Sequence, residues 1–194
     1  MVPLIEYLWN QKNRYEGIKE YHELVKEVST NNGVTLLGLF KPISEPWNWA
    51  YFFEADNMGS WQTVIDEIEE KNFHNRGNIT QNITRLYTRQ AYNPKPKNLG
   101  PMRFLNVELD VWEGINVGIK EYFDAHVNMY QDVEGIWFMG QYAVWNEPYN
   151  WAHFYWYDNH KNWKHAMDLC FGAMGRPDRI TTLLGRTYEL YNSL

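Results

Sequence analysis

From Leu4 to Trp9 apolar positions alternate with period two. Ile5, Tyr7 and Trp9 share one face and Leu4, Glu6 and Leu8 the other, the pattern of a β-strand. The polar run Asn10 to Asn13 ends it. From Arg14 to Val28 the period changes: Tyr15, Ile18, Tyr21, Val25 and Val28 recur at threes and fours, so one helical stripe is apolar and Glu and Lys residues occupy the rest. Asn31-Asn32-Gly33 stops that helix, because Gly accepts the left-handed terminal conformation. Val34 to Ile43 and Trp47 to Ala55 read as the two strands of a hairpin about the turn Ser44-Glu45-Pro46. Asp56-Asn57 caps a second amphipathic helix that carries Trp61, Val64, Ile65 and Ile68 and ends near Asn72. A last strand falls within Ile79 to Tyr92, giving the order β-α-β-β-α-β.

The order then repeats. Asn93 to Pro101 is a proline-rich connector without periodicity. Beyond it come a strand (Phe104 to Val111), a helix (Ile115 to Tyr130), a hairpin (Gly135 to Val144 and Tyr149 to Tyr157), a helix (Trp163 to Met174) and a strand (Thr182 to Tyr191). The duplication is also visible residue by residue. Glu45-Pro-Trp-Asn-Trp-Ala-Tyr-Phe-Phe53 returns 102 positions on as Glu147-Pro-Tyr-Asn-Trp-Ala-His-Phe-Tyr155. Gly17-Ile-Lys-Glu-Tyr21 returns as Gly118-Ile-Lys-Glu-Tyr122, Gly38 as Gly140, and Trp61 as Trp163. The expected organisation is an α+β chain of two ferredoxin-like repeats, residues 1–92 and 102–194, joined by a linker at 93–101. Each repeat is an antiparallel sheet with both helices on one face.

In the third strand of the first repeat Ala50 and Phe52 lie on one face, echoed by Ala152 and Phe154. Trp47, Trp49, Tyr51 and Phe53 lie on the other, echoed by Tyr149, Trp151, His153 and Tyr155. The compact set suits helices packing on it. The larger set, left open, is an interaction liability, so the expectation is that the two sheets pack on each other as an intramolecular α/β barrel. With this arrangement the chain resembles the dimeric α/β-barrel superfamily, which includes antibiotic-biosynthesis-type monooxygenases, EthD-like proteins and the chlorite dismutase/HemQ group. The resemblance covers almost the whole chain, rests on topology and duplication, and assigns no subfamily. Members of the superfamily include haem-binding and haem-degrading proteins, cofactor-independent oxygenases and proteins without an assigned role, so the resemblance implies binding or oxidative chemistry in general terms only.

Composition narrows the function classes. A net charge of -6 and no basic run exclude a phosphate-binding surface, so no nucleic-acid partner is expected. An RNA-recognition domain shares the β-α-β-β-α-β order, and Trp49 and Tyr51 suit base stacking. Yet Asn48 to Glu54 lacks the basic-Gly-aromatic pattern of such domains. The single Cys170 excludes an intramolecular disulfide and a Cys-based zinc site. Met1 to Asn10 does not read as a signal peptide and no stretch approaches a membrane span, so a cytoplasmic protein without a membrane partner is expected; the sequons at Asn78 and Asn82 then read as chance matches. Aromatics make up 17% of the chain, with ten Trp and fourteen Tyr, enough to line a core or a cleft.

Candidate chemistry lies where strand period places polar groups beside those aromatics. Glu6 and its expected counterpart Glu108, with Asn106 and Asp110, are expected to face the barrel, as are Arg85 with Tyr87 and their counterparts Arg186 with Tyr188. Buried Glu and Arg can neutralise each other, or an Arg can bind an anion or carbonyl. His153, standing where the first repeat has Tyr51, is a proton-transfer group, an axial haem ligand or a hydrogen-bonded core histidine. Asn48 and Asn150 read as turn residues bonding local backbone, Trp61 and Trp163 as helix anchors, and Met139, Met167 and Met174 as core filler. His160 and His165 are five apart, on different helical faces, and no metal site is expected.

The expected function is therefore binding, and oxidation, of a hydrophobic or aromatic small molecule, with haem or without any cofactor. His153 or Tyr188 would handle a proton and Arg186 an oxyanion. Trp49, Tyr51, Trp151, Tyr155, Arg85, Tyr87, Glu6, Glu108 and Asn106 would line the site. The alternative is a non-catalytic ligand-binding or assembly protein with a barrel filled by its own side chains. Homo-oligomerisation is compatible with both.

Overall fold

The computed structural model describes residues 2–71, 78–97, 99–112, 119–173 and 180–191. The elements are β1 (Pro3–Gln11), α1 (Ile18–Asn31), β2 (Thr35–Pro42), β3 (Trp49–Glu54), α2 (Met58–Lys71) and β4 (Ile79–Tyr92). The second half supplies β5 (Phe104–Trp112), α3 (Ile119–Tyr130), β6 (Ile136–Val144), β7 (Trp151–Tyr157), α4 (His160–Ala173) and β8 (Ile180–Leu190). The α+β order β-α-β-β-α-β thus occurs twice, as expected. Hydrogen-bonded neighbours run β1-β3-β2-β8-β5-β7-β6-β4, and this order closes on itself, the connectivity of a barrel. Asn72, Ile115, Gly118 and Met174 lie outside the described residues.

Contacts divide the chain into a first unit, Met1–Thr88 with Leu190–Leu194, and a second, Arg89–Glu189. The division falls inside β4 and at the end of β8. In the second unit the chain leaving β4 is held by Asn93, whose backbone N–H donates to the Met139 carbonyl and whose side chain donates to the Phe138 carbonyl. In the first, Tyr191 N–H donates to the Leu39 carbonyl.

In the first unit β1 pairs antiparallel with both β3 and β4, placing Glu6 opposite Phe52 on one side and Arg85 on the other. Helix α1 is bracketed by Gly17 and Gly33, each at φ 67, the left-handed region that a Cβ disfavours. Its buried Tyr21, Val25 and Val28 and α2's Trp61, Val64 and Ile68 form one core with Trp9, Trp49, Tyr51 and Phe53. Tyr51 stacks 4.8 Å from Trp9, and Phe53 lies 4.7 Å from Trp61. The helices therefore cover the large aromatic face, the reverse of the expected arrangement, and Ala50 and Phe52 lie on the opposite face. The reason is geometric: packed layers stand about 10 Å apart, and long side chains fill that gap where Ala does not.

The second unit repeats this. Tyr155 and Tyr157 pack with Tyr130, Phe138 and Trp163 under α3 and α4, and Trp163 stacks 5.1 Å from Tyr157. Trp61 and Trp163 are the helix anchors that their positions suggest.

Register exposes a slip between the repeats. Across from Phe154 and Arg186 stands Val107, the place Glu6 holds opposite Phe52 and Arg85. The counterpart of Glu6 is therefore Val107, and Glu108 corresponds to Tyr7. The spacing between copies is 101 at Gly17/Gly118 and Arg85/Arg186 but 102 at Glu45/Glu147. With a side-chain period of two, one residue of slip moves Glu108 to the other face of the sheet.

Candidate functional site

Glu108 sits directly opposite His153 across β5 and β7, Asp110 follows two residues along the same face, and Gln141 of β6 sits opposite His153 on its other side. Their face is the one under α3. From α3, Tyr122 comes within 4.8 Å of the His153 ring, and His126 stacks on it at 6.2 Å with the planes 12° apart. Asp110, His126, Gln141 and His153 are 0% exposed.

Asp110 Oδ2 lies 3.1 Å from His153 Nδ1, close enough for an ion pair, yet neither imidazole nitrogen makes a directed hydrogen bond among the described residues. Both amide atoms of Gln141 also lack a partner there. Burial pushes the Glu108 carboxyl up to about 7; the Asp110 charge adds to the rise and His153 opposes it. His126 is driven the other way, down to about 4, by burial and then by His153. Its Nδ1 lies 2.8 Å from the Tyr122 carbonyl, which can only accept, so the proton sits on Nδ1 and the lone pair on Nε2.

At the corresponding places the first unit is aromatic or aliphatic. Tyr7, Trp9 and Tyr51 stand for Glu108, Asp110 and His153; Leu39 pairs with Tyr51 as Gln141 pairs with His153; Val25 stands for His126. Five positions in the same fold thus carry Tyr, Trp, Tyr, Leu and Val in one unit and Glu, Asp, His, Gln and His in the other. Sequence reasoning missed this grouping. Comparing the repeats at the register-corrected spacing is the signal that finds it.

Asn106, Trp151 and Tyr155 share the helix-side face with His153, as Trp49 and Tyr51 do in the first unit. Arg186 and Tyr188 lie on the opposite face, with Val107 and Phe154. Strand register thus puts the catalytic candidate His153 on one face and the candidates Arg186 and Tyr188 on the other. Arg186 instead makes a two-point pair with Glu147, at 2.7 and 2.5 Å.

In the first unit the expected Glu–Arg pairing is present. Arg85 donates to Glu6 at 2.9 Å and to both oxygens of Glu45 at 2.7 and 2.6 Å, and the Tyr87 hydroxyl donates to Glu6 at 2.7 Å. Glu45 and Glu147 are thereby explained: each repeated turn delivers a carboxylate to a strand arginine. Asn48 holds backbone, as expected, but that of β1, accepting from Gln11 N–H at 3.0 Å.

The first unit also holds a cleft of about 650 Å³ between α2 and strands β1 and β4, lined by Tyr7, Tyr21, Trp61, Ile65, Asn82 and Thr84 among others. Burial, with a contribution from Glu69, pushes the Tyr7 hydroxyl up to about 12, while a hydrogen bond with Tyr21 opposes the shift.

The closed order of eight strands with paired helices is shared with known structures. A chlorite dismutase candidate matches with a TM-score of 0.64 at 12% identity, over 98% of this chain and 95% of that one. A haem-binding protein from Thermus thermophilus matches at 0.61 and 6%, over 98% and 91%. A monooxygenase candidate from Lactobacillus acidophilus matches at 0.60 and 12%, over 97% and 93%. At such identities the likeness is one of fold. No protein-family profile and no curated sequence matches the chain.

The surroundings of His153 decide whether it suits haem. An axial ligand presents Nε2 to a macrocycle that needs a clear, flat space beside it. Here the imidazole is boxed in by Tyr122, by His126 and by Phe138 at 6.3 Å, with two carboxylate side chains next to it. His153 does not fit as a haem ligand in this arrangement.

Proposed function

We propose that the protein binds a flat, amphipathic small molecule, hydrophobic or aromatic in body and uncharged or cationic, in the cleft between α2 and β4 of the first unit. The cleft itself carries the reading. Its volume falls within the roughly 300–1,000 Å³ of small-molecule sites. Tyr7, Trp61 and Ile65 supply ring and aliphatic surface, Asn82 and Thr84 supply hydrogen bonds, and Glu69 disfavours an anion. A second reading, oxidative chemistry, is supported by the shared fold with the haem-binding protein and the monooxygenase candidate. The ligand-binding reading does not depend on His153 as an axial ligand.

The test uses the ten Trp indole N–H signals of the ¹⁵N-labelled protein, with Trp61 assigned through Trp61→Phe. The probes are 1-naphthylmethylamine, 1-naphthalenemethanol and 1-naphthoate. For about 12 heavy atoms at roughly 0.3–0.4 kcal/mol each, binding amounts to about 4 kcal/mol, a Kd on the order of 1 mM. The amine and the alcohol are expected to shift the Trp61 signal saturably and the carboxylate at least tenfold more weakly. A Trp61 signal unmoved by all three overturns the reading.

A further inference from the structure

We propose that Glu108, Asp110 and His153 form a binding site for one divalent first-row transition-metal ion inside the second unit. One oxygen from each carboxylate and one imidazole nitrogen lie within 4.8 Å of one another. Ligands of a single ion at about 2.0–2.2 Å stand about 3.0–3.6 Å apart in octahedral or tetrahedral geometry. Asp110 Oδ2 and His153 Nδ1 already lie 3.1 Å apart, and side-chain torsions must draw the widest pair in by about 1–2 Å.

Three observations converge on an ion rather than on a solvated acidic patch. All three side chains are buried, where, as ionised ligands, two carboxylates and a neutral imidazole would carry two formal negative charges that a dication cancels. Beside them, the wholly buried Gln141 carries an amide with no hydrogen-bond partner among the described residues, and its carbonyl oxygen suits a fourth ligand. Finally, the first unit shows what the fold needs without an ion. The positions of Glu108, Asp110, His153, Gln141 and His126 are filled there by Tyr7, Trp9, Tyr51, Leu39 and Val25, which pack as core, so fold stability does not call for the polar set.

The donor set states the metal class. Two carboxylates and one imidazole, with no thiolate among them, favour Mn(II), Fe(II), Co(II) or Zn(II) over soft Cu(I). His126 stands outside the donor set: with its proton held by the Tyr122 carbonyl, its Nε2 lone pair faces Cys170 Sγ at 3.6 Å. The site owes nothing to the cleft of the first unit, and either proposal can fail alone.

The full-length protein, stripped with a chelator, is titrated with Mn(II), Co(II) or Zn(II) by calorimetry, and Co(II) is followed by its visible d–d bands. One equivalent is expected to bind with a raised Tm. Both the isosteric Glu108→Gln/Asp110→Asn variant and His153→Ala are expected to weaken binding by 100-fold or more. Should His153→Ala fail to fold, the isosteric pair keeps the test open. No stoichiometric binding by the wild type, or binding unchanged in the isosteric variant, overturns the proposal. The cluster is then a structural one, with Asp110 against His153 and Glu108 beside them.

Discussion

Replacing Glu6 with Val gives the first unit what the second already has at that place, Val107. Arg85 then keeps its two-point pair with Glu45, the arrangement of Arg186 with Glu147. What is lost is one charged hydrogen bond of Arg85 and the acceptor of the Tyr87 hydroxyl, at about 1–3 kcal/mol, partly offset by an apolar side chain on a buried face. Replacing Arg85 with Ala instead leaves two carboxylates, one of them 0% exposed, without their guanidinium, at about 3–5 kcal/mol. Urea unfolding followed by Trp fluorescence and by circular dichroism reads both. With an m-value of about 2 kcal/mol/M, the midpoint should fall by about 0.5–1 M in Glu6→Val and by about 1.5–2.5 M in Arg85→Ala. The double variant should cost less than the sum, because the two changes share one interaction. A Glu6→Val protein destabilised as much as Arg85→Ala refutes the view that Glu45 is the principal counter-charge.

Three further outcomes follow. In metal-free protein the Glu108 carboxyl is raised from 4.5 to about 7, so the folded state favours its protonated form. Its contribution to stability is full below about pH 4.5 and lost as pH rises through about 7, on the order of 3 kcal/mol; unfolding midpoints across that range should fall, and Glu108→Gln should flatten the fall. Added haemin should give no Soret shift that His153→Ala removes; a His153-dependent shift restores the haem reading. Trp61→Ala, deleting a buried ring that touches Phe53, should cost about 3–5 kcal/mol in the same unfolding assay.

Much of the fold is readable from period and repetition. The alternation of Ile5, Tyr7 and Trp9, the helical stripe of Tyr21, Val25 and Val28, and the returning Glu-Pro-Trp/Tyr-Asn-Trp-Ala segment place most of the elements correctly. Period two states which residues share a face but not which face meets the helices. That choice depends on filling a layer gap, and Tyr51 and Phe53 go under α1 and α2 because of their size. The site is hidden by a second cause. A spacing of 102 holds in the hairpin but gives way to 101 in β5, so a single offset matches Glu108 to Glu6 instead of Tyr7. His153 is recognisable as the residue that breaks the repeat. Its companions Gln141 and His126 lie on other elements, and only the strand register and the helix packing bring them together.

One crystal tests the metal site and the cleft together. Grown with Mn(II) and 1-naphthylmethylamine, the wild-type protein should show an anomalous peak within about 2.2 Å of Glu108, Asp110 and His153, and ring density beside Trp61 in the cleft of the first unit. An empty polar cluster together with ring density elsewhere would contradict the division of labour between the two repeats.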